Sequence, residues 1–285
     1  MTFDPSPSTR LIALLGGRVQ HSLSPRFQNA AFRAAGVDGL YLALRCDEDS
    51  LPGLLQGIAR AGGGGNVTLP HKEHAARLVE RRTPALERTG ACNAFWLEDS
   101  QIWGDNTDVA GFSAATRGLL GGSPAGARVL LLGAGGAARA ALCALVDGGA
   151  EQIVLMNRTA TRAQKLAEQF AGRSTNLRVA AGTEELRGER FDLAVNATSL
   201  GLRVEDPLPL PATGVPAFSA ALDLVYAPEE TPWVRHLRER GILAADGLEM
   251  LLQQGAAAFE RWWRVPAPLE VMRAALPPRG GKPGG

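Results

Sequence analysis

Four islands of polar and small residues interrupt the apolar segments of the first half of the chain. They are His21-Ser22-Leu23-Ser24-Pro25, Asn66-Val67-Thr68-Leu69-Pro70-His71-Lys72, Gly90-Ala91-Cys92-Asn93 and Gly104-Asp105-Asn106-Thr107-Asp108. Each alone has an ordinary reading: Ser22 and Ser24 as helix caps, Lys72 as a surface lysine, Asn106 to Asp108 as a helix start. Together they bring hydroxyls, amides, one lysine and one carboxylate to strand ends. In an open α/β sheet that is where ligands bind. A polyhydroxylated carboxylic acid requires such a set.

A second group suits a different ligand. Gly133, Gly135 and Ala138, within Gly133-Ala134-Gly135-Gly136-Ala137-Ala138, fit G-x-G-x-x-G/A. The first glycine permits a tight turn, the second lets backbone approach a pyrophosphate, and the small third residue lets helix pack on strand. An apolar strand precedes the motif and an alanine-rich helix follows, which is the context that separates a dinucleotide site from a mere strand-to-helix turn. After the next strand, NAD sites usually carry an acid for the ribose 2′-hydroxyl. Here stand Asn157, Arg158 and Thr159, with Arg162 one step on. Guanidinium suits a 2′-phosphate and selects NADP. The alternative is a solvated basic helix start, which the helix dipole disfavours unless an anion is bound.

The elements that must hold these groups alternate. Arg10 to Leu15, Leu40 to Leu44 and a segment ending at Asn66-Val67-Thr68 read as strands. Ala94 to Leu97 and Gln101 to Trp103 read as a hairpin around Glu98-Asp99-Ser100. Ser24-Pro25 opens a helix as N-cap and N1, with Phe27, Ala30, Ala31 and Ala34 at helical spacing; Leu51 to Ala61 and Val109 to Leu120 are further helices. Gly121-Gly122-Ser123-Pro124 reads as a linker. Beyond it, strands at Arg128 to Leu132, Gln152 to Met156, Leu177 to Ala180, Phe191 to Val195 and Ala221 to Val225 alternate with helices ending near Val146 and spanning Ala160 to Phe170. That pattern predicts a doubly wound parallel sheet. A last long helix, roughly Gly247 to Trp263, carries Leu251, Gln254 and Ala258 in one stripe.

Composition narrows the function classes. Thirty Lys and Arg against 29 Asp and Glu give a net charge of +1, so no global basic field gathers nucleic acid or anionic membrane, and an anion needs a local site. The 34 glycines, without a collagen period, imply tight turns and close backbone approaches. Cys46, Cys92 and Cys143 lie far apart, so buried reduced thiols are expected rather than a disulfide framework or a zinc site. No basic run followed by an apolar stretch opens the chain, and no apolar run spans a bilayer. A cytoplasmic protein binding small molecules is expected, with neither nucleic acid, membrane nor metal as partner.

The set SLS, NVTLPHK, GACN, DNTD, GAGGAA, NRTATR, NATSLG, DLVY and MLLQQGAAAF, in this order over nearly the whole chain, resembles the shikimate dehydrogenase family. The resemblance implies reversible NADPH-dependent reduction of 3-dehydroshikimate to shikimate, on the route to chorismate and the aromatic amino acids. It implies an N-terminal α/β substrate domain over 1–112, a Rossmann-type NADP domain over 113–247 and a cleft between them. Helices within 248–276 return to the first domain, and 277–285 form a flexible tail. By resemblance Lys72 is the catalytic lysine and Asp108 its carboxylate partner. Ser22 and Ser24 match the pair for the substrate carboxylate; Thr68, Asn93, Asp108 and Gln254 match the groups holding ring hydroxyls; Tyr226 matches a tyrosine near the substrate. Gly133, Ala134, Gly135, Gly136 and Ala137, then Asn157, Arg158, Thr159 and Arg162, match the cofactor segments, and Leu224 and Gly247 match positions near the nicotinamide. Arg18, Pro84, Cys92 and Ala94 depart from the family pattern, and Ala94 removes a hydroxyl near the pocket. The alternatives are a quinate/shikimate dehydrogenase using NAD and a non-catalytic ligand sensor; the expected assembly is a monomer or homodimer.

Overall fold

Two runs of alternating strand and helix build two separate six-stranded sheets. The structure is a computed structural model that describes residues 5–172, 176–203, 205–211, 215–227 and 229–277; from residue 278 onward the expected tail lies outside the described residues.

The first unit takes Met1–Gly111 and Leu251–Pro277. Its chain runs β1 (Arg10–Gly16), α1 (Ser24–Ala35), β2 (Gly39–Arg45), α2 (Leu51–Arg60), β3 (Gly64–Val67), α3 (Lys72–Leu78), β4 (Arg81–Arg82), α4 (Pro84–Thr89), β5 (Ala94–Glu98), β6 (Gln101–Asp105) and the start of α5 (Asp108–Leu120). The strand order is β2-β1-β3-β5-β6-β4. β1 pairs in parallel with β2 and β3, while β3, β5 and β6 are antiparallel neighbours. Asp99 and Ser100, at φ 51° and 60°, make the two-residue turn whose twist suits the β5–β6 hairpin. Alternation along β1 supplies both faces of the sheet: Ile12 and Leu14 pack with Phe27, Phe32, Tyr41 and Trp96, whereas Ala13 and Leu15 pack with Leu51, Leu55, Leu86 and Phe95. The structure corrects one cap. Leu23 already has helical dihedrals, φ −80° and ψ −11°, so it takes the N-cap position, and Ser24 becomes the first helical residue without capping the helix.

The second unit runs from Phe112 to Met250. After α5 come β7 (Arg128–Leu132), α6 (Gly136–Asp147), β8 (Gln152–Met156), α7 (Ala160–Gln169), β9 (Leu177–Ala180), a 3-10 turn (Thr183–Leu186), β10 (Arg190–Asn196), β11 (Ala217–Asp223), α8 (Pro232–Glu239) and β12 (Leu243–Ala245). All five pairings are parallel, in the order β12-β11-β10-β7-β8-β9. Counted within the unit this is 6-5-4-1-2-3, the Rossmann order, and it reverses between β7 and β10, the place where such sheets bind ligands. β11 starts before the apolar run expected from Ala221 and ends at Asp223, because Val225 N–H turns back to the Asp223 carboxylate.

α9 (Leu248–Trp263) and α10 (Leu269–Ala274) complete the first unit's core with Leu252, Phe259, Trp262 and Met272. Phe259 lies against Phe32 with ring centroids 5.9 Å apart, and Trp262 against Tyr41 at 6.0 Å. Full burial of each such side chain contributes about 1.5–3 kcal/mol, so these returning helices carry a large share of that core.

Candidate active site

Lys72 opens α3, and its backbone carbonyl accepts from Cys92 N at 2.8 Å, which ties the helix start to the lead-in of β5. Its ammonium donates to Asp108 Oδ2 at 2.6 Å, with the two side chains only 15% and 8% exposed. A charge-assisted bond in such surroundings is strong and directional. Asp108 opens α5, where the helix dipole favours a carboxylate. Its other oxygen accepts from Asn93 Nδ2 at 2.8 Å, and the same amide reaches Gln254 Oε1 at 3.4 Å. Asn93 Oδ1 accepts from Thr107 N at 2.7 Å, which orients the amide. Lysine, carboxylate and two amides thus form one connected, mostly buried cluster.

Residues to which the sequence assigns no role complete it. Asn66 Nδ2 donates to the Asn93 carbonyl at 2.9 Å, and Tyr41 donates to Asn66 Oδ1 at 2.8 Å. Asn106 Oδ1 accepts from Asp108 N at 3.2 Å while its Nδ2 donates to Ala91 O at 2.7 Å, so the turn before α5 is pinned to the segment before β5. The buried Asp105 accepts from Thr83 Oγ1, Asn106 N and Arg261 Nε. Only their places in the Asn66-to-Lys72 and Gly104-to-Asp108 islands signal Asn66, Asp105 and Asn106, because most of the partners come from distant segments. Gln254 reaches the cluster because α9 approaches α1 closely at Gly255. A Cβ there would stand 2.5 Å from Phe27 Cε2, and Gln28 Nε2 donates to Gly255 O at 2.9 Å. Ser22 Oγ accepts from the backbone N–H of Ser24, at 3.2 Å, and Ser24 is buried; among the described residues no bond joins either hydroxyl to the lysine cluster. Thr68 is held by its backbone, donating to Leu15 O at 2.9 Å and accepting from His71 N at 3.0 Å.

In the second unit Gly133 closes β7 at φ +113°, and a Cβ there would stand 2.7 Å from Ala197 O. Only glycine fits, on both counts. Gly135, with open space where a Cβ would project, is the N-cap of α6. Neither a side-chain cap nor an acid occupies the first turn of α6, so its N–H groups suit an anion. Ala138 is fully buried, as close helix–sheet packing requires. Asn157 Nδ2 donates to Thr159 O at 2.9 Å and shapes the turn into α7. Arg158, Thr159 and Arg162 are exposed there; no acid lies in that first turn, and among the described residues neither guanidinium forms an ion pair. Two cations at the positive end of a helix are each unfavourable by about 0.3–1 kcal/mol unless an anion joins them. The uncapped glycine cradle and this cationic turn together fit NADP.

Leu224 and Gly247 meet directly: a Cβ on Gly247 would stand 2.3 Å from Leu224 O, and Gly247 N donates to Val225 O at 3.0 Å. Tyr226 is partly buried, which raises its phenol pKa by desolvation. Beneath them Asp223 is fully buried. Burial, aided by the Asp246 charge, pushes its carboxyl up to about 6 against hydrogen bonds from Thr231, Val225 N and Asn196. The folded state therefore holds a proton between about pH 4 and 6 that the unfolded chain has released, and stability falls as pH rises through that window. The shift corresponds to about 3 kcal/mol. Denaturant unfolding of wild type and Asp223→Asn is expected to show the wild type losing up to about that amount relative to the variant from pH 4 to pH 7. A difference that stays flat with pH excludes the shift.

Family comparisons agree along the chain. A model described as the shikimate dehydrogenase substrate binding domain matches residues 14–95. Shikimate / quinate 5-dehydrogenase matches 118–201, and the shikimate 5'-dehydrogenase C-terminal domain matches 247–276. Shikimate dehydrogenase (NADP(+)) from Moorella thermoacetica is 44% identical over 276 residues, covering 94% of this chain and 93% of that protein. Its namesake from Geobacter sulfurreducens is 38% identical over 275 residues, covering 94% and 96%. Among solved structures, shikimate 5-dehydrogenase from Thermus thermophilus, in complex with NADP(H) and shikimate, superposes with a TM-score of 0.83 at 39% identity, covering 94% of this chain and 98% of that one. Shikimate dehydrogenase from Aquifex aeolicus gives a TM-score of 0.86 at 35% identity, covering 95% and 98%.

Proposed function

The chain belongs to the shikimate dehydrogenase family, and on that premise we propose how its residues divide the work. The protein is an NADP-dependent oxidoreductase that interconverts 3-dehydroshikimate and shikimate. The mostly buried Lys72–Asp108–Asn93 cluster carries the residue-level reading. When bound, NADPH supplies hydride to the substrate ketone. Negative charge then develops on the ketone oxygen and must be stabilised and protonated. Lys72 Nζ has three donors, one of them directed at Asp108. As ammonium it gives a proton to the ketone oxygen in reduction; as amine it accepts the alcohol proton in oxidation. Asp108 orients Lys72 and, with Thr68, Asn93 and Gln254, accepts from or donates to the ring hydroxyls. Tyr226 stands beside the substrate.

Gly133 to Ala137 hold the pyrophosphate of NADP, Asn157, Arg158, Thr159 and Arg162 its 2′-phosphoribose, and Leu224 and Gly247 border its nicotinamide. Ser22 and Ser24 hold the substrate carboxylate. That group is unchanged by the reaction, so its contacts stabilise ground and transition states alike. Removing both hydroxyls is expected to raise KM for shikimate by about ten-fold or more with little change in kcat, since a hydrogen bond to a charged group contributes about 1.5–3 kcal/mol. An unchanged KM places the carboxylate elsewhere.

Among the described residues no helix is long and apolar enough to cross a membrane. We infer a cytoplasmic setting, supported by three buried free thiols. Steady-state NADP⁺ reduction tests the reading: shikimate with NADP⁺ is expected to exceed quinate and NAD⁺ in kcat/KM. Preference for quinate with NAD⁺, or no turnover, overturns it.

A further inference from the structure

We propose that Asp223 is a positioning residue for the nicotinamide side of the cofactor site, its buried carboxylate fixing in one place the turns that leave β10 and β11. The inference rests on the placement of Leu224, Tyr226 and Gly247 given above. Asp223 is the last residue of β11 and lies in register with Asn196, the last of β10, beside the point where the strand order reverses. Three donors from three segments converge on it. Asn196 Nδ2 donates to Oδ1 at 2.8 Å, Val225 N to Oδ1 at 3.1 Å, and Thr231 Oγ1, at the N-cap of α8, to Oδ2 at 2.7 Å.

Asn196 passes this order into its own turn. Its Oδ1 accepts from Thr198 N at 3.1 Å and Thr198 Oγ1 at 2.7 Å, and its Nδ2 also donates to Leu200 O at 3.0 Å. Asn196 O accepts from Leu224 N at 2.8 Å, so the two turns are bonded to one another as well as to the shared carboxylate. Gly247 then seats on Leu224 and Val225. The backbone of Leu224 and Gly247 is therefore placed by contacts that lead back to Asp223. The Ala197 carbonyl, one residue beyond Asn196, is what excludes a side chain at Gly133, so the same turn borders the glycine cradle.

The choice of a carboxylate is itself informative. Among the described residues no cation pairs with Asp223, and the charged group facing it is Asp246, which disfavours ionisation further. A buried charge without a counter-ion is expensive. A carboxylate accepts from several donors at once, and such bonds are roughly twice as strong as neutral ones. Asparagine in its place keeps the shape but offers one accepting oxygen where Asp223 uses two. The function gained for that penalty is a turn geometry held by one atom group rather than by packing.

Full-length Asp223→Ala and Asp223→Asn test the role by calorimetry and kinetics. The probes are NADP⁺, 2′,5′-ADP, which lacks the nicotinamide, and shikimate, each titrated alone. For Asp223→Ala, NADP⁺ binding is expected to weaken about ten-fold and kcat to fall about 10- to 100-fold, the size of one lost charge-assisted contact or two. Binding of 2′,5′-ADP and of shikimate stays within about two-fold of wild type, on the same scale. Asp223→Asn is expected to recover part of the loss, and it carries the test should the alanine variant fail to fold. Equal weakening of NADP⁺ and 2′,5′-ADP in the asparagine variant indicates general damage and overturns the proposal, as does wild-type NADP⁺ binding and kcat in either variant. Wild-type turnover of shikimate with NADP⁺, measured alongside, reports separately on the function itself.

Discussion

Lys72→Ala is expected to lower kcat by about 100- to 10,000-fold, the range for loss of a positioned proton donor, with only a modest change in KM for shikimate. The asymmetry follows from where the ammonium acts. Its strongest interaction with substrate arises as charge builds on the ketone oxygen, so its loss falls on the transition state. The variant also strands the carboxylate of Asp108, whose other hydrogen bond among the described residues comes from the Asn93 amide. Removing one partner of a mostly buried pair costs about 3–5 kcal/mol of stability, so folding is checked by circular dichroism and shikimate binding by calorimetry. A folded variant that binds shikimate and keeps wild-type kcat removes Lys72 from the reaction. Comparable loss of kcat in Lys72→Met, which retains the apolar stem, separates the missing proton from the missing packing.

Arg158→Ala is expected to weaken NADP⁺ by about 10- to 100-fold and to leave NAD⁺ nearly unchanged. NAD⁺ has no 2′-phosphate, so the deleted guanidinium has no partner to lose. Arg158, Thr159 and Arg162 are exposed, and the preference for NADP⁺ should shrink as salt rises. If both arginines were ordinary surface charges at the start of α7, the substitution would alter the two cofactors equally or not at all. Parallel KM changes in the two cofactors would therefore detach NADP selection from this turn.

The sequence makes some of these elements plain and hides others for physical reasons. β7 and β8 are legible to the residue, because a parallel strand buried on both faces is a continuous apolar run, and turns bound it on each side. α3 is silent: Lys72-Glu73-His74-Ala75-Ala76-Arg77-Leu78 is too short for an apolar stripe, although Ala75 and Ala76 are buried. α4 and α8 carry a signal that apolar periodicity does not weigh. Thr83-Pro84 and Thr231-Pro232 each open a helix with a threonine whose side chain accepts from the third helical N–H, followed by proline in the first turn. Lys72, Asp108 and Asn93 stand out as polar residues at strand ends. Arg261, Gln28 and Asp223 do not, because each acquires its role only from partners far along the chain, such as Asp105, Gly255 and Asn196.

The return of α9 and α10 to the first unit sets an order of events during synthesis. Phe32, Tyr41 and Trp96 emerge early, but Leu252, Phe259 and Trp262, which cover them, follow an interposed stretch of about 140 residues. At about 5–20 residues per second on the ribosome, the gap lasts on the order of ten seconds. The unit from Phe112 to Met250 is contiguous and needs nothing made later to close its sheet. The half of the protein translated second is thus the first able to finish. Until then the nascent first half presents an uncovered aromatic face, the kind of surface that chaperones hold and that neighbouring chains on a polysome can stick to.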